Sequence, residues 1–323
     1  MGRVDRIKAP ITKELDAFED RFRASLQSKV PLLNKITHFI VKRKGKQMRP
    51  MFVFLCAKAV GEISDTTFRA AALIELLHTA TLVHDDVVDD AMERRGFFSL
   101  NAIWKNKIAV LVGDYLLSRG LILAVENKEF NLLEIVTRSV KEMSEGELLQ
   151  LEKSRGVNLD ESVYLNIIEQ KTASLISSCC EAGVSSVGVD AKTQEAFRKF
   201  GTYVGMAFQI KDDLFDYGNG NIGKPIAIDI KEKKITLPLL FALNNCSWAD
   251  RKKYIFKLNH HRNKQDNIQQ IIQFVVDKGG IEYAKQKMLE YQQLALAELA
   301  SIPNSEAKEA LLDLVQYTID REK

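Results

Sequence analysis

Apolar residues recur at helical spacing almost from one end of the chain to the other, and the strict alternation of a strand is hard to find. Pro10 and Pro31 suit first-turn positions, Gly45 closes a segment, and Pro50 opens a short helix over residues 51–60 that Gly61 ends. From Thr66 a long helix carries Ala70, Leu73, Leu76, Leu77 and Ala80 toward Asp85, with Gly96 marking its far end. Further helices are predicted near residues 101–126, 130–154, 160–182, 191–217, 235–245, 248–258, 266–278, 280–300 and 305–321, and most joints between them contain Gly, Pro, Asn or Asp. No linker is long or biased enough to divide the chain, so the pattern predicts an all-α protein with a single domain over residues 1–323. Residues 218–234 stand apart: glycines and a proline among lysines predict a mobile loop.

Two polar interruptions of this pattern share one design, Asp85-Asp86-Val87-Val88-Asp89 and Asp212-Asp213-Leu214-Phe215-Asp216. Residues four apart on a helix share a face, so each cluster offers a pair of carboxylates to one ion. Stacked anions at the end of an apolar helix are costly unless cations neutralise them. Mg²⁺ suits the role, because it takes oxygen ligands, keeps waters and completes its shell with substrate phosphates. An EF-hand calcium loop is excluded, since neither cluster has that loop's alternating ligands, central glycine and terminal glutamate.

Bulk composition narrows the function classes. The 323 residues are 46% hydrophobic and 28% charged, an ordinary globular balance. Forty-six Lys and Arg against 43 Asp and Glu leave a net charge of +3, too mild for a nucleic-acid binder. Cys56, Cys179, Cys180 and Cys246 show no CxxC spacing and no secretory leader precedes them, so reduced thiols in a cytoplasmic protein are expected and zinc is not. Residues 108–125 are the most apolar stretch, but Asp114 and Arg119 make it a poor membrane span.

A transferable diphosphate also needs cations that take up charge as the leaving group departs. Lys46 and Arg49 lie just before a helix start, where backbone N–H groups favour phosphate. Arg94 and Arg95 follow the first aspartates, Lys171-Thr172, Lys224 and Lys234 add further charge, and Gln209 lies just before Asp212.

Over nearly its whole length the chain resembles the trans-isoprenyl diphosphate synthases, the polyprenyl synthetase family. The matching segments are GKQMRP at 45–50, LLHTATLVHDDVVDD at 76–90, RRG at 94–96, GDYLLSRG at 113–120, EGELLQ at 145–150, KT at 171–172, QIKDDLFDY at 209–217 and GKP at 223–225. The resemblance implies a helical bundle with a central apolar tunnel, and condensation of isopentenyl diphosphate onto an allylic diphosphate. Lys46, Arg49, His78 and Arg95 would hold the isopentenyl diphosphate. Asp85, Asp89 and Asp212 would ligate three Mg²⁺ ions with support from Asp86, Asp213 and Asp216, while Arg94, Lys171, Thr172, Gln209, Lys224 and Lys234 would hold the allylic diphosphate. His84 is left structural. The family often has glycine where this chain has Ala227 and Lys233, which puts the geometry of that loop in question.

In the family, small residues before the first aspartates open a deep tunnel. Ala80 and Thr81 are small, so a long product is expected, with Leu77, Leu73 and Met143 as walls. Similarity over residues 76–120 to quinone side-chain synthases favours octaprenyl, with heptaprenyl or solanesyl close behind, and the product passing to membrane enzymes. A shorter farnesyl or geranylgeranyl product and a non-catalytic subunit are the alternatives. A terpene cyclase would need neither Lys46 and Arg49 nor an intact second cluster. The resemblance also implies a homodimer packed through helices.

Overall fold

The computed structural model describes residues 2–42, 47–94, 97–154, 160–217, 228–232, 234–260 and 264–320. In chain order its helices are α1 (Arg3–Lys8), α2 (Thr12–Ser25), α3 (Pro31–Lys42), α4 (Met48–Val60), α5 (Asp65–Val88), α6 (Leu100–Glu126), α7 (Phe130–Ser154), α8 (Glu161–Ile168), α9 (Ser174–Ser185), α10 (Ala191–Phe215), α11 (Ile228–Lys231), α12 (Leu237–Asn244), α13 (Trp248–His260), α14 (Gln265–Asp277), α15 (Gly280–Glu298) and α16 (Glu306–Asp320). A 3₁₀ turn, Ala9–Ile11, contains Pro10, and Pro31 opens α3, as its missing N–H allows. The one sheet among the described residues is an antiparallel pair, β1 (Glu93–Arg94) with β2 (Phe97–Phe98). The protein is all-α.

Three expectations need correction. The long helix ends at Val88, well short of Gly96, and a hairpin follows it. The helix expected over 160–182 is α8 and α9 with a π-helical segment, Glu169–Ala173, between them. Within α6, Lys105 is non-helical at φ 71°, so the helix is kinked there. Gly45 and most of the loop expected over 218–234 lie outside the described residues, although residues 228–231 form the short helix α11.

The chain forms two compact units and passes between them several times. The first comprises Met1–Val140, Ser178–Arg198 and Ile302–Leu311; the second comprises Lys141–Ser177, Lys199–Ser301 and Leu312–Lys323. In the first unit α4 is buried on nearly every side, as a helix without a polar face must be. Beside it α5 packs along α6, bringing Leu76, Ala80 and Val83 together with Ala109, Val112 and Leu116. Gly120 of α6 meets Leu73 and Leu77, and a Cβ there would come within 3.2 Å of Leu73. By length and composition α6 could cross a membrane; a third of its most apolar window is buried, and Arg119 donates to the Ser25 carbonyl at 2.9 and 3.1 Å.

Among the described residues the second unit holds two apolar clusters. One gathers Tyr164, Ile167, Ile168, Met206, Ile210, Leu240 and Met288, and the other Tyr217, Ile230, Leu239, Leu258, Ile271 and Phe274. Gly280 sits 2.2 Å, as measured to an added Cβ, from the Pro238 carbonyl, which is how α15 approaches α12 so closely.

Candidate active site

In the first unit the aspartate cluster occupies the last turn of α5, which holds no basic residue. The helix macrodipole places negative charge at that end, so Asp85, Asp86 and Asp89 oppose local stability and call for a cation. Asp89 is the C-cap, and its N–H donates to the Asp85 carbonyl at 2.8 Å, which keeps the i, i+4 register. Asp90 follows at φ 48°. The Asp90 N–H reaches the Val87 carbonyl at 3.4 Å and the Ala91 N–H reaches that of Asp86 at 2.9 Å, a Schellman ending with aspartate where glycine is usual. The Asn101 amide also donates to the Asp86 carbonyl, at 3.1 Å. Asp85 and Asp89 are exposed; the Asp86 residue is only 5% exposed.

Arg49, at the start of α4, is gripped side-on by Glu75 of α5, with Nε to Oε2 at 2.6 Å and Nη2 to Oε1 at 3.1 Å. Both border a cavity of about 770 Å³ that Asp86 also lines, walled by Phe18, Phe22, Phe39, Leu82 and Val83. Partly buried His78 lies two turns before Asp85 on α5. Leu77, Ala80 and Thr81 are not among that cavity's lining residues: Leu77 meets Gly120, and Ala80 is packed in the α5–α6 core. His84, left structural in the sequence reading, packs against α6. Its Nε2 lies 3.3 Å from the Val110 carbonyl and 3.4 Å from Asp114, and a Cβ on Gly113 would strike its ring at 2.2 Å.

In the second unit the π-helical segment carries Lys171 and Thr172. Insertions of this kind recur at functional sites, because they turn side chains out of helical register. Three glycines let neighbouring helices close on this segment and the helix after it. An added Cβ would lie 2.4 Å from Ala173 at Gly205, 2.6 Å from Ser177 at Gly201 and 2.9 Å from the Lys171 nitrogen at Gly146. Around one cavity of about 170 Å³ stand Lys171, Thr172, Gln209 and Lys234, together with Gln150, Tyr164, Asp213 and Asp229.

These groups form a directed chain. The Thr172 hydroxyl donates to Gln209 Oε1 at 2.8 Å, and the Gln209 amide donates to Asp213 Oδ1 at 2.9 Å. The Tyr164 hydroxyl donates to Asp213 Oδ2 at 2.6 Å. Burial pushes the Asp213 carboxyl up to about 7 against those two hydrogen bonds, with Asp229 and Asp212 adding to the rise. Burial likewise lifts Asp229 to about 6, helped by Asp216 and resisted by Lys234. The described lysines are themselves committed, Lys171 to Glu147 and Lys234 to Glu232 at 2.6 Å. The carboxylates therefore outnumber the described cations. The second cluster also ends differently: Asp216 lies past the last residue of α10, and its N–H reaches the Asp213 carbonyl at 3.3 Å, so the turn is tighter than i, i+4. Asp216 Oδ2 then accepts from the Asp229 N–H at 2.6 Å.

A model of the polyprenyl synthetase family matches residues 30–275. The chain belongs to the polyprenyl synthetase family. An all-trans-nonaprenyl-diphosphate synthase (geranyl-diphosphate specific) of Rhodobacter capsulatus is 36% identical over 318 residues, 98% of this chain and 97% of that protein. An octaprenyl diphosphate synthase of Escherichia coli (strain K12) is 33% identical over 300 residues, 92% of this chain and 93% of the relative. A solved polyprenyl synthase from Caulobacter crescentus CB15, complexed with calcium and isoprenyl diphosphate, matches with a TM-score of 0.90 at 33% identity and covers 99% of this chain and 98% of its own. The protein is a trans-prenyl diphosphate synthase, and so a prenyltransferase. The products named for the two relatives differ, so membership of the polyprenyl synthetases leaves the number of isoprene units open.

Of the residues expected in a polyprenyl synthetase site, Lys171, Thr172, Gln209, Asp213 and Lys234 stand around one cavity. Lys46, Arg95 and Lys224 lie outside the described residues, as do Ala227 and Lys233, and Arg94 is placed only as part of β1. Sequence reasoning missed Glu75, Glu147, Gln150, Tyr164 and Asp229. Glu147 and Gln150 were within reach, since they sit three apart in the EGELLQ segment and so share a helix face. Nothing in the apolar run of α8 sets Tyr164 apart from a core tyrosine.

Proposed function

We propose that this prenyltransferase is a Mg²⁺-dependent long-chain synthase that adds isopentenyl diphosphate repeatedly to an allylic diphosphate, with octaprenyl as the favoured product and quinone side chains as its use. The observation that carries the diphosphate chemistry is the convergence of Lys171, Thr172, Gln209 and Lys234 on one cavity beside Asp213. Lysine charge there lowers the energy of a departing diphosphate more than that of the bound ester, which is the condition for catalysis. Lys46, Arg49, His78 and Arg95 hold the isopentenyl diphosphate, and Arg94 and Lys224 join the allylic group's partners.

The donor chemistry fits the metal. Each long helix ends in carboxylates with no basic residue in its last turn, a setting for a hard, oxygen-seeking dication. Among the described residues no group of three His, Cys, Asp or Glu side chains stands together, so the remaining ligands of each ion would be waters and phosphate oxygens. Asp85, Asp89 and Asp212 are the proposed ligands of three ions. Bound Mg²⁺ supplies charge stabilisation to the leaving diphosphate. Released diphosphate takes the proton that restores the alkene, and the chain supplies no nucleophile.

Long products are supported by the small side chains of Ala80 and Thr81. A shorter farnesyl or geranylgeranyl product is the second reading, favoured by the packing of Leu77 and Leu73 against Gly120 one and two turns earlier. Mass determination of the product from farnesyl diphosphate, isopentenyl diphosphate and Mg²⁺ decides between them: a chain of eight units is expected, and one of four or fewer rejects the long-chain reading. The active form is a homodimer, supported by a stripe of exposed apolar residues on α6, Leu111, Ile122 and Val125. A cytoplasmic location accords with four free cysteines.

A further inference from the structure

Helix α13 is the most basic stretch of the second unit, with Arg251, Lys252, Lys253 and Lys257 against one acid, Asp250. Its inner side is secured by Leu258, 4% exposed, and by Tyr254, which stacks on Phe274 with ring centroids 3.8 Å apart. The outer side is unusual for a surface helix. Trp248 is 76% exposed and Phe256 is 53% exposed. Lys252 lies between them at i+4, its ammonium 5.0 Å from the indole centroid, and His260 continues the ridge with its ring 4.7 Å from that of Phe256. Exposed Lys253 flanks the ridge, while Asp250 is turned toward Ser247, whose hydroxyl donates to it at 2.9 Å.

We propose that this face of α13 docks on an anionic lipid bilayer. Two large aromatics eight residues apart stand about 12 Å apart along a helix, close enough to enter one lipid interface together. Aromatic rings favour the headgroup level, and lysines beside them are attracted to anionic phosphates. A ridge along one helix suits a flat surface, whereas platforms for single-stranded nucleic acid are grooves that track a backbone. The chain's net charge of +3 is small, so the attraction must be local to a patch of this kind. A bilayer is also the natural acceptor for a prenyl diphosphate, an amphiphile with an apolar tail. The docking face does not depend on how long that tail is.

The test is co-flotation of the full chain with vesicles of phosphatidylcholine alone or with about a third phosphatidylglycerol, at low and physiological salt. Binding to the anionic vesicles is expected, weakened by salt. Trp248→Ala combined with Phe256→Ala should reduce it at least tenfold, and Lys252→Glu with Lys253→Glu several-fold, while prenyl transfer in solution is unchanged. Equal binding by unsubstituted and substituted chains, or binding to neither vesicle, overturns the proposal. So does a fall in oligomeric state in the aromatic variant, which would make the face an interface between copies. Binding of single-stranded RNA that those variants abolish, without vesicle binding, overturns it as well.

Discussion

The first aspartate cluster ends α5 and the second ends α10, and in both the middle aspartate is the buried one, Asp86 at 5% and Asp213 at 4%. Around Asp86 the main chain is held: its carbonyl takes the Ala91 N–H and the Asn101 side-chain amide, and Asp90 turns left-handed to close the helix. Around Asp213 the carboxylate is held, with Tyr164 and Gln209 on its two oxygens and Thr172 behind Gln209. The same five-residue pattern thus meets a helix ending in one place and a side-chain network in the other, and that network ties Asp213 through Gln209 and Thr172 to the lysine-bearing segment.

The sharpest break of that comparison is at the proposed metal ligands. Asp85→Ala and Asp212→Ala should each lower condensation by about 10³-fold or more, measured as incorporation of labelled isopentenyl diphosphate, with unchanged helicity. Near-normal turnover in both would show the metal assignment to be wrong; chelation of divalent ions should reproduce the loss. Next in size is Gly205→Ala, which forces a methyl to 2.4 Å from the Ala173 Cα. Overpacking of this kind costs about 1–3 kcal/mol and should displace Lys171, so thermal unfolding and kcat should fall together. If kcat holds while stability drops, the glycine serves packing alone.

Tyr164→Phe removes a donor to a buried carboxylate at a cost of about 1.5–3 kcal/mol. The expected outcome is a roughly tenfold loss of kcat, by the usual scale of one positioned hydrogen bond, with KM for isopentenyl diphosphate unmoved. A KM change alone would detach Tyr164 from the network. Ala80→Phe in the first unit should shorten the product to three or four units, and an unchanged chromatographic distribution would remove Ala80 from length control. The smallest effect is Asp90→Gly, which relieves a left-handed aspartate and one negative charge at a helix C-terminus. Stability should rise by roughly 0.5–1 kcal/mol in chemical denaturation, and no gain would mean the turn carries no strain.

Helices were legible because their apolar spacing is a local property: α7 was expected at 130–154 and runs Phe130–Ser154, and α14 and α15 end within two residues of expectation. The aspartate motifs and the lysines were legible as types of chemistry, since four-residue spacing is read along one helix. What local pattern could not supply was any effect of one helix on another. The helix of Lys171 slips into a π turn where Gly146 and Gly205 bring neighbours close, and no residue within that segment announces it.

By itself the amino-acid sequence determined the all-helical class, the two acidic helix ends and the family to which they belong, because each depends on short-range periodicity or on ordered motifs. Tertiary structure alone decided that Arg49 is gripped by Glu75, that His84 fills the space left by Gly113, and that Tyr164 and Gln209 share Asp213. These are contacts between residues 26 or more positions apart, except for the four-residue step from Gln209 to Asp213. Such partners are chosen by which side chains the packing of helices brings within hydrogen-bond reach, and periodicity along one helix carries no record of that choice.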